Sequence, residues 1–307
     1  MEKNNEVTRP DRKLKLGIVG LGFVGKAVQT AFMTETVDQF IVDPKYYNHT
    51  LHDLTKFEPS ITFVCLPTPS RADGSINYDL VDEAVRHIIN NSESFIVIKS
   101  TITPDIVEKL TRLDSRIVYE PEFLTEANAT MDFLYPPFKI LGHIDTGAKS
   151  YLDTVYGIHS RCAGSKTIGM TPVQASFFKY AINNFLALKV IYFNQLKSVA
   201  KKFNVDYNQL YKILPVDRRV GHSHLMQPGP DGKEGFGGSC FPKDLNAFIH
   251  FAKSIGEEPK LLEMVKSIND DLRSQYELSE REIEQNVNYG QTKKELKDKD
   301  NGSTSEV

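Results

Sequence analysis

The spacing of apolar and polar positions changes character near residue 170. Before that point short apolar runs recur at Leu14–Val19, Gln39–Asp43, Ile61–Leu66, Phe95–Lys99 and Arg116–Tyr119, and each is expected to form a strand. Helical patterns separate several of them, at Gly25–Thr34, Tyr78–Asn90 and Pro104–Leu113. Apolar strands alternating with helices predict an α/β fold, a Rossmann-type doubly wound parallel sheet with helices on both faces. Thr103-Pro104 suits a helix start, because proline fits the first turn.

Beyond residue 170 the alternation stops and an α-helical central domain is expected. Thr171-Pro172-Val173-Gln174 is a capping-box pattern with proline at the first helical position. It opens a helix to about Lys202, with Phe177, Ala181, Phe185, Leu188 and Tyr192 at helical spacing. Apolar residues on more than one side of that helix predict packing against a partner as well as its own chain. A segment at Tyr207–Leu214 is also helical, Gly221–Gly238 is a Gly- and Pro-containing loop, and Asp244–Ser254 forms another helix. The polar stretch Tyr289–Val307 is expected to be disordered. The resulting division is 1–170 for a dinucleotide-binding domain, 171–285 for the helical domain and 286–307 for a tail.

Composition removes several function classes. The 307 residues are 40% hydrophobic and 25% charged, ordinary for a globular protein, and the net charge of -3 leaves no basic footprint for nucleic acid. No apolar stretch is long enough to span a bilayer, and Met1–Lys13 lacks a signal-peptide core. Cys65, Cys162 and Cys240 are an odd set without metal-site spacing, which suits a reducing cytoplasm and predicts no bound metal.

Two segments carry candidate chemistry. Gly20-Leu21-Gly22-Phe23-Val24-Gly25 is a G-x-G-x-x-G motif between a strand and a helix. Its glycines permit a tight turn, close approach to a pyrophosphate and close helix packing, while the helix start offers free N–H groups to the phosphates. Asp43, about twenty residues on, is placed to accept from ribose hydroxyls and so to select NAD over NADP; a plain turn capped by Asp43 is the structural alternative. The second segment is Gly235-Phe236-Gly237-Gly238-Ser239-Cys240-Phe241-Pro242-Lys243-Asp244. A cysteine in a loop just before a helix, beside a cation, is placed to act as thiolate nucleophile, although a small buried hydrophobe is the bland reading. Lys179 and Asn183 are four apart on one face of the long helix, where the lysine could also simply snorkel to solvent. Glu122 and Glu126 share that spacing at the carboxyl end of a strand, where open α/β sheets bind ligands; a solvated helix start is the alternative.

Taken in order, these segments resemble the UDP-glucose/GDP-mannose dehydrogenase family, and its UDP-glucose branch in particular. The matching runs are Gly20–Gly25, Val64–Pro69, Lys99–Ile102, Pro121–Glu126, Phe178–Asn184, Arg219–Gly221 and Phe236–Asp244, spread over about residues 14–275. The resemblance implies oxidation of a nucleotide-sugar C6 alcohol, UDP-glucose to UDP-glucuronate, with two NAD+ reduced. It assigns Cys240 as the nucleophile forming a thiohemiacetal and then a thioester, Lys179 and Asn183 as oxyanion stabilisers, and Asp244 as the holder of a water or of Lys179. Glu122 becomes the base for hydrolysis, with Thr101 and Glu126 in support. Cofactor contacts are implied for Gly20, Gly22, Phe23, Val24, Gly25, Asp43, Pro67, Thr68, Thr101, Glu126 and Lys243. Sugar-nucleotide contacts are implied for Glu122, Phe123, Leu124, Lys179, Asn183, Arg219, Phe236 and Gly237. Arg219 matches an arginine that reaches into a neighbouring subunit, so a homodimer around the long helix is expected. Family members usually continue into a third, nucleotide-closing domain, for which this sequence has no room after residue 275. Two other readings therefore stand beside it: a split or non-catalytic subunit completed by a separate chain, and a two-electron β-hydroxyacid-type dehydrogenase.

Overall fold

The run Leu14–Val19 forms the strand β1, and the chain turns at once through its glycines into the helix α1, Phe23–Ala31. The structure, a computed structural model, describes residues 13–162, 164 and 166–290. The described residues divide into two compact units: one holds 13–68 together with Tyr78–Lys179, and the other holds Pro69–Asn77 and 180–290.

In the first unit β2 is Val37–Val42, α2 Leu51–Phe57, β3 Ile61–Val64, α3 Asp79–Asn91, β4 Phe95–Ile98, α4 Pro104–Thr111 and β5 Ile117–Tyr119. Then follow α5 at Ala129–Leu134, β6 at Phe138–Gly142, α6 at Thr146–His159 and β7 at Lys166–Met170. These strands make one sheet of order β2-β1-β3-β4-β5-β6-β7, parallel from β2 to β5. Strand order reverses at β1 and β3, whose carboxyl ends therefore flank the crevice where such sheets bind ligands. All of β3 is buried, including Thr62, whose hydroxyl is satisfied by Ser94 Oγ at 2.9 Å.

The doubly wound parallel sheet is present as expected, and it departs from parallel pairing at one place on its far edge. β6 meets β5 antiparallel through Tyr119 and Gly142, and β7 runs parallel to β6. An antiparallel neighbour needs no helical crossover, so the strand–helix alternation says nothing about it. Neither β6, β7 nor α2, α5 and α6 was anticipated. Lys139 disguises β6; it is buried, with its ammonium 4.7 Å from the Tyr156 ring centroid, so an apolar pattern does not show it.

The second unit is helical. α7, Pro172–Lys202, starts in the first unit and continues into the second, and its expected capping box is present: Thr171 N–H donates to Gln174 Oε1 at 3.0 Å and Gln174 N–H to Thr171 Oγ1 at 3.2 Å. After it come α8 at Tyr207–Ile213, α9 at Phe241–Ser254, α10 at Lys260–Arg273 and α11 at Glu280–Glu284. Ala187, Val190 and Ile191 of α7 pack with Phe236, Leu245, Ile249 and Val265 as the core of this unit.

Pro69–Asn77 groups with the helical unit, and the two compact units meet within α7, between Lys179 and Tyr180. α9 begins at Phe241, three residues before Asp244, because Pro242 occupies a first-turn position where its missing N–H has no intrahelical partner to lose. The start of the expected tail is also packed, with Val287 and Tyr289 buried; residues 291–307 lie outside the described residues. Among the described residues no helix is long and apolar enough to cross a membrane.

Candidate active site

The glycine turn of the first unit is enforced by its own backbone. Gly20 sits at φ +91°, and a Cβ there would lie 2.6 Å from the Cys65 carbonyl oxygen. A Cβ on Gly25 would lie 2.0 Å from the Gly20 carbonyl oxygen, so α1 can start this close to β1 only with glycine. Gly22 is exposed, and a Cβ there would meet nothing within 4 Å. Phe23 and Val24, half-buried, form the first turn of α1, which has no side-chain cap and no acidic residue. Its N–H groups and positive dipole end are therefore available to an anion. Asp43 follows β2 and is tied to the same loop: Leu21 N–H donates to its Oδ2 at 2.6 Å and Lys45 N–H to its Oδ1 at 2.9 Å. A half-exposed carboxylate with two such donors keeps further lone pairs for a ribose hydroxyl.

The segments leaving β3 and β4 are stitched together. Thr68 Oγ1 donates to the Thr101 carbonyl at 2.9 Å and Ser100 Oγ to the Leu66 carbonyl at 2.7 Å, with Pro67 exposed between. Beneath them lies a buried charged group whose pairing no local sequence pattern shows. Lys99 and Glu120, both buried, pair at 3.1 Å, and Tyr156 donates its hydroxyl 2.9 Å from each Glu120 oxygen. Both acid and lysine end strands, so only the strand register brings them together. Burial pushes the neighbouring Cys65 thiol up to about 12, and burial also raises Cys162, which leaves both as protonated thiols.

Glu122 and Glu126 do not form the expected pair. No α-helix spans the two residues: Glu122 is buried in extended chain, whereas Glu126 is exposed in a 3-10 turn, Glu126–Asn128. The partner of Glu122 is Lys179, whose ammonium donates to Glu122 Oε1 at 3.0 Å and to its carbonyl at 2.6 Å. Lys179 is only 2% exposed, so it does not snorkel. Leu124 N–H holds the other Glu122 oxygen at 2.7 Å, and the Phe123 ring lies 5.3 Å from the lysine ammonium. A lysine and a glutamate are thus fixed in one buried ion pair within the first unit, from positions 57 apart in sequence.

The second unit contains Cys240, partly exposed at the N-cap of α9. Asp244, in the first turn of that helix and 1% exposed, accepts from Asn183 Nδ2 at 2.6 Å and from Lys243 Nζ at 2.5 Å. Asn183 is buried one helical turn after Lys179 on α7. Lys243, expected at the cofactor, is therefore buried against Asp244. Phe236 is buried in the loop before Cys240, and Gly237 is half-buried beside it. Arg219 is far more open, its side chain 90% exposed and paired with Asp217 at 2.6 Å. Phe185, Tyr192 and Val199, seven apart along α7, are exposed as well.

Comparison with known proteins matches both units. Residues 33–159 match the NAD binding domain of the UDP-glucose/GDP-mannose dehydrogenase family, and residues 173–271 match its central domain. A UDP-glucose 6-dehydrogenase of Rickettsia bellii is 31% identical over 247 residues, covering 74% of this chain and 55% of that protein. One from Haloferax volcanii is 29% identical and covers 84% of this chain and 70% of its own length. The chain thus spans little more than half the length of the first of these relatives. The solved structure of a UDP-glucose dehydrogenase from Pyrobaculum islandicum superposes with a TM-score of 0.73 at 28% identity, over 86% of this chain and 70% of that one. NAD is the cofactor, and the open Gly22, the uncapped start of α1 and the half-exposed Asp43 fit it. The chain belongs to the UDP-glucose/GDP-mannose dehydrogenase family.

Proposed function

We propose that this protein oxidises the C6 alcohol of UDP-glucose to the carboxylate, with Cys240 as covalent nucleophile. The observation that supports this most is the buried Asn183–Asp244–Lys243 network in the first turn of α9, with Cys240 at its N-cap. A simple alcohol oxidation needs neither a nucleophile nor such a network. NAD, held by the glycine loop and Asp43, supplies the hydride acceptor and is used twice per sugar.

The first oxidation yields the C6 aldehyde. The Cys240 sulfur then bonds to the aldehyde carbon, the carbonyl oxygen becoming the thiohemiacetal oxygen. Lys179 and Asn183, one turn apart on α7, are the cation and amide assigned to the charge on that oxygen. The second oxidation removes the hydrogen from the same carbon and leaves a thioester. Hydrolysis breaks the carbon–sulfur bond, water supplies the new oxygen, and the thiol leaves protonated. Glu122 is assigned as base for this step, positioned by Leu124 N–H, with Thr101 in support. UDP-glucose is favoured over other nucleotide sugars because Phe241 follows the cysteine and because the relatives above are named for it.

A homodimer belongs to the same reading, supported by the exposed Phe185, Tyr192 and Val199 and by the open Arg219 side chain; sedimentation of the purified protein measures it. The decisive assay counts NADH formed per UDP-glucose consumed. Two per sugar are expected for the parent, and Cys240→Ser should fall by at least about a thousandfold in production of the acid, as for loss of a nucleophile. Full turnover to the acid by Cys240→Ser would overturn the proposal.

A further inference from the structure

The loop that presents Cys240 is held by side chains from distant positions, and the last of them lies beyond residue 271, where the family match ends. Gly235 N–H donates to Asn194 Oδ1 at 3.2 Å. Asn269 brackets Phe236, accepting its N–H at 2.7 Å and donating to its carbonyl at 3.1 Å. Gly238 N–H, two residues before the cysteine, donates to Glu282 Oε1 at 3.2 Å.

Glu282 is wholly buried, yet five donors reach its two oxygens. Besides Gly238, Oε1 receives the Tyr289 hydroxyl at 2.6 Å and Arg273 Nη2 at 3.0 Å. Oε2 receives the N–H and hydroxyl of Ser279 at 2.7 and 2.8 Å, the capping box of α11. Arg273 is itself buried, and its other arm reaches Asp231 at 2.7 Å, in the loop that leads to the cysteine segment. The ion pair lies flush against that segment: a Cβ on Gly237 would lie 2.1 Å from Arg273 Nη2 and 2.6 Å from Glu282 Oε1. Glycine at 237 is therefore what lets the pair approach the loop backbone.

We propose that Glu282 is a positioning residue for Cys240, acting through the Gly238 N–H, with Arg273 and Tyr289 holding its carboxylate in place. The inference rests on the reading of Cys240 as nucleophile. The segment after α10 is on this view a working part of the cysteine loop. A carboxylate saturated by donors cannot change rotamer without stranding several of them, so the loop conformation is fixed with it. Burial by itself would raise the Glu282 carboxyl, but hydrogen bonds from Tyr289 and Ser279 and the Arg273 charge bring it down to about 2, so it is ionised throughout the working range.

The test uses the full chain with Glu282→Gln, Glu282→Asp and Tyr289→Phe. Cys240 alkylation by iodoacetamide is followed by mass spectrometry as a function of pH, beside kcat, KM and the thermal unfolding midpoint. Glu282→Gln is expected to shift the alkylation profile and to lower kcat about ten- to a hundredfold at little change in KM, as for a slightly misplaced reacting group. Glu282→Asp should recover part of the loss, and Tyr289→Phe should show a smaller shift of the same kind. An alkylation profile in Glu282→Gln identical to the parent overturns the proposal; if that variant does not fold, an unchanged profile in Tyr289→Phe overturns it. A shifted profile together with turnover that survives Cys240→Ser supports the positioning and removes only the nucleophile role.

Discussion

In the first unit the turn at Gly20–Gly25 is imposed by backbone meeting backbone: the Gly20 and Cys65 carbonyls leave no room for a side chain. In the second unit the loop Gly235–Gly238 is imposed by side chains, Asn194, Asn269 and Glu282, reaching its N–H groups from 41, 33 and 44 residues away. The first arrangement is local and rigid because its clashing atoms cannot move without the sheet. The second is long-range and depends on packing and on charge. A phosphate cradle needs only fixed N–H directions, which backbone provides. A cysteine loop needs its thiol aimed, and that takes a surround of side chains.

Three experiments would break or sharpen this contrast. The largest effect is expected for Gly25→Ala, where the new methyl would press on the Gly20 carbonyl at 2.0 Å. Relief requires backbone movement, so a loss of more than about 3 kcal/mol is expected in urea unfolding, with NAD binding lost in parallel. A stable, NAD-binding Gly25→Ala protein would show that the turn is not rigid.

Acid should act on the second unit instead. The Glu282 carboxyl lies near 2 in the folded protein against 4.5 as its ordinary value. Its folded value is the lower one, so the stability it contributes is complete above about 4.5 and is lost as pH falls from there toward 2. The full difference corresponds to at most roughly 3 to 4 kcal/mol, at about 1.4 kcal/mol per pH unit. Unfolding midpoints measured down this range should fall less steeply for Glu282→Gln than for the parent, and parallel curves would remove the carboxylate from the account.

The smallest effect on stability belongs to Gly22→Ala, since nothing lies within 4 Å of its Cβ position. Unfolding should change by less than about 0.5 kcal/mol, as at an open surface site. NAD binding, read by fluorescence titration, should nevertheless weaken by about tenfold, the factor for roughly 1.4 kcal/mol of lost phosphate approach. Equal loss of stability at Gly22 and Gly25 would show that the two glycines serve one purpose.

Much of the architecture was legible beforehand wherever short-range patterns decide it. β1, the glycine turn, α1 and the capping box of α7 lie within residues or tens of residues of their partners, and they match expectation closely. The far edge of the sheet was not legible, because an antiparallel β6 carrying a buried Lys139 obeys neither the strand–helix alternation nor the apolar pattern. The site divides the same way. Asn183 and Asp244 were both named, and the structure joins them. The spacing of Glu122 and Glu126 suggests a pair, yet spacing matters only if a helix forms, and Glu122 pairs with Lys179 instead. Lys99–Glu120 and Glu282 escaped notice because a buried charge looks like a surface charge until its partner is known.

By itself the amino-acid sequence determined the strand–glycine–helix cofactor turn, the ordered motifs of the family, and the placement of Cys240 before a helix. All of these are set by backbone sterics and by capping within a few residues. Tertiary structure alone decided which of the charged groups lie buried, which acid each lysine meets, the direction of the last two strands, and the hold of Glu282 on the loop before Cys240. Those outcomes depend on desolvated contacts between segments tens of residues apart, whose free energy exists only once the core that excludes water has formed.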